Sequence, residues 1–483
     1  MNPLSTLQPQ TIWQYFYEIT QIPRPSGKEE KMIAYLKDFA AKHNLDCNVD
    51  KVGNVLIKKA SSADKKDSPI VILQSHIDMV CEKNSDTKFD FENDGLNVYI
   101  EDGWVKAKGT TLGGDDGIGV AASLAILASE NISHPTLECL FTVEEETGLD
   151  GAFGLERGFL SGDILINMDS EDDAEVYVGC AGGIDTLAEL DYKSEPSPKN
   201  YEAIKILVNG LCGGHSGGDI HLNRGNANQI LAGFIAEMIS KYDIRIAEFQ
   251  GGNLRNAIPR EAFAVILIPS IQEMDFMSDI NTFYLKTKEQ YAITDPNFGF
   301  TSEAVDAPEQ VIDLNTQMRL LRAINLCPNG VIAMSEVIEN LVETSTNLAS
   351  VKMTRPNVID IVTSQRSSSE TEKEKIATRI REHFKSQGAR VINSDGYPGW
   401  SPNMDSEILK VANKAFANLH GTKPEVKAIH AGLECGLFLT KYPQLDMISI
   451  GPTMKDVHSP DERLEINAVE RFWNWLVEIL AIV

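Results

Sequence analysis

The chain has 483 residues, 42% of them hydrophobic, which is enough for two or three domains with sizeable cores. Its 44 basic and 70 acidic side chains leave a net charge of −26, a surface that repels nucleic acid and anionic membranes and excludes both as partners. Seven cysteines with no CxxC pair suit a reducing compartment and exclude a thiolate zinc knuckle. The opening residues lack the pattern of a secretory signal, and no apolar run approaches the roughly 20 residues that span a bilayer. The expectation is a cytoplasmic protein.

Residues 1–45 read as two helices split by IPRPSGKEE, with Ser26 and Glu29 at capping-box spacing for the second. NVLIKKA, PIVILQSHIDMV and LECLFTVEE read as strands, and DDGIGVAASLAILAS as a small-residue helix packed closely on them. GDILINMDSED is a further strand, ending in acids. Strands alternating with helices predict an α/β layer around a buried mixed sheet. DYKSEPSPKNYE is a polar, proline-bearing linker. From about 203 to 395 the chain reads β-α-β-β-α and then much the same again. FAVILIPS with the helix EMDFMSDINTFYLK parallels VIDIVTSQRSS with the helix TEKEKIATRIREHFK, the mark of an internal duplication. SDGYPGWSPN is a second linker, after which the α/β texture returns. The expected division is a base domain over 1–190, a lid over 191–396, and the rest of the base over 397–483.

Acids and histidines gather at the strand ends. His76 and Asp78 in SHIDMV are two apart, so on a strand they face the same way. Asp115 and Asp116 sit in a glycine-rich turn before a helix, and Asp169 closes an apolar strand. TVEEETG sets three glutamates side by side, which repel one another unless something positive sits among them. His458 lies in a loop, MKDVHSPDERL. Singly, each is an ordinary cap, solvated carboxylate or surface histidine. Jointly, His76, Asp115, Glu146, Asp169 and His458 offer two imidazoles and three carboxylates, a sensible ligand set for two zinc ions.

SHIDMV, GGDDGIG, TVEEETG, NMDSED, GGHSGGD and VHSPDE, in this order, are similar to the motifs of the dinuclear-zinc exopeptidases, which include carboxypeptidases, aminoacylases and dipeptidases. The resemblance covers essentially the whole chain. HSGGDIHLNRGNA and IHAGLECGLF look closest to the family's carnosine-type, Xaa-His dipeptidases. It implies a catalytic domain with a mixed central sheet flanked by helices, and an inserted α+β lid. It also implies two Zn2+ per chain, with Co2+ or Mn2+ as substitutes, and hydrolysis of small dipeptides such as β-alanyl-histidine by a metal-activated water. The family pattern T-x-x-E-E-x-G falls on Thr142, Glu145, Glu146 and Gly148, making Glu145 the general base and Glu146 a ligand, with Glu144 at a variable position.

By the same resemblance, Asp115 bridges the two ions. His76 and Asp169 complete one site, Glu146 and His458 the other, and Asp78 fixes the ring of His76. A cis peptide is implied at Asp115–Asp116. His215 in GGHSGGD would stabilise the oxyanion, Asn256 and Arg366 would bind the substrate backbone and its C-terminal carboxylate, and Glu434 would meet the amine. Two rivals stand beside this reading: an aminoacylase or deacetylase on the same scaffold, and a non-catalytic metal- or peptide-binding relative. Such relatives usually lose a ligand or the base, whereas here all five ligands and Glu145 are present. Monomer and homodimer are both compatible, as is an oxyanion histidine from either chain of a dimer.

Overall fold

A computed structural model describes residues 2–483, and they divide into two units. The first comprises the chain up to Cys180 together with Trp400–Ala428 and Leu433–Val483; the second comprises Ala181–Gly399 and Ile429–Gly432.

The first unit is organised on an eight-stranded mixed sheet. Four neighbouring strands, Leu137–Thr142, Val71–His76, Ile164–Asn167 and Asp446–Ser449, run parallel. VILQSH and LECLFT are buried along their whole length, as strands covered on both faces must be. Helix Gly114–Ala128 packs on Val71–His76 and against helix Gln10–Thr20. Ala121, Ala122 and Ala125 are buried and small, which permits that close approach. Because the four strands are parallel, their carboxyl ends open on one edge, where sites of such sheets form. A separate four-stranded sheet holds Met454–Lys455 and Arg463–Glu465, and the loop between these two carries His458.

The second helix begins at Glu30 with no side-chain cap, so the capping box expected of Ser26 and Glu29 does not form. Both side chains have other partners, described below.

The second unit is built on a nine-stranded antiparallel sheet. Two halves share one topology, strand-helix-strand-strand-helix-strand, and one spatial order. The first half is Tyr201–Asn209, Ala227–Met238, Arg245–Gly251, Ala262–Pro269, Glu273–Gln290 and Gly299–Val305. The second is Gly182–Asp191, Leu314–Asn325, Val342–Arg355, Val358–Ser367, Glu370–Ser386 and Arg390–Asn393. The copies are nested, not consecutive as the sequence reading has them, because the opening strand of the second half precedes the whole first half. That strand belongs to this sheet, so the contact boundary falls after Cys180 where the expectation has 190. Ser194–Pro196, inside the expected linker, is itself a short strand paired with Gln310–Ile312.

Phe234 is fully buried at the centre of an aromatic cluster, 5.7 Å from Phe276, 5.0 Å from Phe283 and 5.1 Å from Phe300, ring centre to ring centre. Phe234→Ala leaves a cavity that these rings cannot close without losing their own packing. The expected cost is about 3–5 kcal/mol, read from urea unfolding of the intact chain.

Candidate metal centre

The carboxyl edge of the parallel strands gathers the acids and histidines of five segments. His76 ends its strand and is 1% exposed. Its Nε2 faces Asp115 Oδ1 at 2.9 Å and Asp169 Oδ1 at 3.5 Å. The other oxygen of Asp115, Oδ2, lies 3.1 Å from His458 Nε2, which is also 3.1 Å from Glu146. Asp115 therefore turns one oxygen to each imidazole. Ligand atoms of His76, Asp115 and Asp169 lie within 4.8 Å of one another, as do those of Asp115, Glu146 and His458, and those of His76, Glu145 and Glu146. The last grouping was not anticipated: Glu145, like Glu146, has a ligand atom within 4.8 Å of one on His76.

Asp78 organises this edge from below. Its Oδ1 lies 3.3 Å from His76 Nδ1 and accepts the N–H of Glu145 at 3.0 Å. Its Oδ2 accepts the N–H of Glu146 at 3.2 Å and the Ser26 hydroxyl at 2.7 Å. One carboxylate thus sets the ring of His76 and caps the turn Glu145–Gly148, while Glu144 enters that turn with a left-handed backbone. Glu29, the other half of the expected capping box, accepts the N–H of Glu144 at 3.1 Å.

The segment around Asp115 needs its glycines. Gly113 has φ +64°, and a Cβ there would sit 2.4 Å from Arg24 Nη2. At Gly119 a Cβ would fall 2.4 Å from Asp116 Oδ1 and 2.7 Å from Ser75 Oγ. The Asp115–Asp116 peptide is cis.

Protein charges alone are badly balanced here. Burial pushes Glu145 and Asp169 well above the ordinary carboxylate range, and neighbouring acids add to the rise. Burial would raise Asp115 too, but hydrogen bonds with His458 and His76 hold it well below. Hydrogen bonds with Asp115 and Glu146 push His458 up to about 11. For His76, burial acts downward, yet Asp169 and the carboxylates around it raise it well above its usual value. Burial likewise acts upward on Asp78, but the His76 partnership brings it down to about 2. The acids draw positive charge from whatever is near. Divalent cations fit this set: the donors are imidazole and carboxylate only, they converge, and their charge is what such ions neutralise.

Glu434, expected to meet the substrate amine, is a buried group with hydrogen-bond donors of its own. It is fully buried, and its Oε2 accepts from Gln74 Nε2 at 2.6 Å and Thr142 Oγ1 at 2.8 Å. Gln74 Oε1 in turn accepts from Asn167 at 2.6 Å. This polar layer ties together the strands that end in His76, Thr142 and Asn167, two residues short of Asp169.

His215, Asn256 and Arg366 belong to the second unit. Gly217 and Gly218 aim their N–H groups at His215 Nδ1, at 3.3 and 3.0 Å. Nδ1 is therefore the acceptor and Nε2 carries the proton. The 3.5 Å approach of Arg366 Nη2 to that Nε2 is then a contact between two donors and not a hydrogen bond. Arg366 is 7% exposed, no surface arginine, and donates to the Tyr397 hydroxyl at 2.7 Å. Asn256 lies on the loop paired with His215: its carbonyl accepts the N–H of Ser216 at 2.8 Å.

A family model described as "Peptidase family M20/M25/M40" matches residues 72–481. The cytosol non-specific dipeptidase of Escherichia coli (strain K12) is 42% identical over 480 residues, 99% of each chain. The crystal structure of aminoacylhistidine dipeptidase from Vibrio alginolyticus superposes with a TM-score of 0.91 at 42% identity, covering 99% of this chain and 98% of that one. A tripeptidase from Staphylococcus aureus, at 18% identity and a TM-score of 0.57 over 99% and 98% of the two chains, shares the fold.

The geometry makes a prediction for metal uptake. Purified chain should hold about two divalent ions, measured by elemental analysis, and His458→Ala should hold fewer. Glu144→Gln, at the first glutamate of the acidic run and outside the cluster, should hold as many as wild type.

Proposed function

The chain belongs to peptidase family M20/M25/M40 and is a metallopeptidase; on that premise we propose that it hydrolyses dipeptides, Xaa-His among them, with two zinc ions that share Asp115. The observation that carries this reading is the placement of Asp115, one oxygen towards His76 and the other towards His458, with Glu145 alongside. The whole-chain identity of 42% to a dipeptidase supports the substrate class.

In this reading His76, Asp115 and Asp169 would hold one ion, and Asp115, Glu146 and His458 the other. Imidazole and carboxylate donors without thiolate suit zinc, with cobalt or manganese as substitutes. When bound, the ion pair supplies a Lewis acid for the scissile carbonyl and a lowered pKa for the attacking water.

The rest falls to side chains. Glu145, made more basic by burial and by the acids beside it, accepts the proton of the attacking water and returns it to the leaving amine. Asp78 keeps His76 in one ring orientation, with Nδ1 turned to its carboxylate. His215 presents its Nε2–H to the oxygen on which charge develops. Arg366 takes the substrate's carboxylate and Asn256 its backbone, while acids beside the ligand cluster receive the free amine. The buried position of Glu434 gives it a supporting part beneath the strand ends and no part in that amine contact. The cytoplasm is the proposed location, in keeping with seven cysteines of which none is in a disulfide and with a cytosolic relative. Among the described residues no helix is long and apolar enough to cross a membrane.

A substrate panel tests this. A dipeptide offers one amine and one carboxylate at a fixed separation; one more residue displaces one of them, leaving a charge unpaired. Against β-alanyl-histidine and a generic dipeptide, the tripeptide extension and the N-acetyl analogue should each lose at least about a hundredfold in kcat/KM. Glu145→Gln should lose as much in kcat on the dipeptides while keeping its metal. Faster cleavage of the N-acetyl compound would make the protein an aminoacylase.

A further inference from the structure

Two buried charges flank the metal centre without touching its ligands. Arg24 lies between two prolines in the loop that follows the first helix and is 1% exposed. Its Nη1 donates to the carbonyl of Ile77 at 3.0 Å and to that of Asp78 at 2.6 Å, and its Nη2 donates to the carbonyl of Gly113 at 2.5 Å. Glu462 is 3% exposed. Its Oε2 accepts the N–H of Leu112 at 2.7 Å and of Gly113 at 3.1 Å, and its Oε1 accepts the N–H of Gly114 at 2.8 Å.

The connectivity has a pattern. Residues 112–114 are the approach to Asp115, and their backbone groups are taken up from both sides. Arg24 ties them to residues 77 and 78, directly after His76. Glu462 ties them to the segment that carries His458, four residues before it. Each histidine-bearing segment is thus keyed to the loop of the shared carboxylate by one buried ion. A guanidinium suits its side of this arrangement, because its planar fork reaches several carbonyls in fixed directions, whereas an ammonium is a single point charge. A carboxylate suits the other side, since two oxygens can accept three N–H groups.

Resting on the metal reading above, we propose that Arg24 and Glu462 are positioning residues that set the two imidazoles at their spacing across Asp115. They act through backbone and meet neither ion nor substrate. Burying an arginine and a glutamate costs stability unless their hydrogen bonds are well made, and all six bonds described here end on the loops that position ligands. A purely structural anchor has no need to join these three segments in particular.

The test uses the whole chain loaded with cobalt(II), whose electronic spectrum reports ligand geometry. Wild type, Arg24→Lys, Arg24→Met and Glu462→Gln are compared for cobalt affinity by chelator competition, for spectrum, and for kcat and KM on one dipeptide. Arg24→Lys keeps the charge and loses the fork, so it carries the test if Arg24→Met does not accumulate as folded protein. The expected result is cobalt binding at least tenfold weaker and an altered spectrum. With it, kcat should fall at least tenfold while KM stays within threefold. Variants with wild-type cobalt affinity, spectrum and kcat, altered only in thermal stability, would overturn the proposal and leave the metal reading intact. A wild-type chain that takes up no cobalt would overturn the metal reading itself.

Discussion

Carboxylates crowded into a space with little water are the constraint on which the rest of this molecule turns. Asp116, Asp169 and Glu145 are held where burial and mutual repulsion work against their charge, Asp115 is buried but kept charged by His458 and His76, and the two imidazoles answer by drawing protons. Such an arrangement is costly for a fold with nothing to gain from it. It becomes favourable when doubly charged cations sit among the oxygens, and the side chains that converge here are those that could hold them. The three glutamates of TVEEETG find their place in this account. Glu145 and Glu146 turn into the cluster, and Glu144 takes the left-handed position that makes the turn.

The scaffold answers the same constraint at each level. Parallel strands bring three ligand-bearing segments to one edge, and the burial of those strands on both faces fixes their register. Beneath the ligands, Thr142, Glu434, Gln74 and Asn167 link neighbouring strand ends by side-chain hydrogen bonds. Beside them, Asp78 joins His76 to the turn of Glu145 and Glu146. Rigidity of this kind is what a multi-ligand site requires, since small displacements of one donor weaken the whole set.

Much of this was legible in the chain. Strand and helix texture placed His76, Asp115 and Asp169 at element ends because hydrophobic runs stop where the polar cluster begins, and that contrast is local. Partnerships across long separations were not legible. Ser26 and Glu29 have capping-box spacing, but the first donates to Asp78 and the second accepts from Glu144, since a buried site competes for the same groups that a cap would use. Nothing in the sequence singles out Arg24 or Glu462; their partners lie 53 to 89 and 348 to 350 residues away. Glu434 sat in a suggestive motif that gave no sign of its burial or of its two donors, Gln74 and Thr142. The nested duplication escaped because its outer strand, Gly182–Asp191, lies beyond the point where the repeat seemed to start.

The central claim is that Asp115 is shared by two cations, one on the side of His76 and one on the side of His458. Crystals of the zinc-loaded chain, measured on either side of the zinc absorption edge, test it directly. The account predicts two anomalous peaks, each in contact with one oxygen of Asp115, the first beside His76 and Asp169 and the second beside Glu146 and His458. A single peak, or two peaks of which either lies out of contact with Asp115, would contradict it.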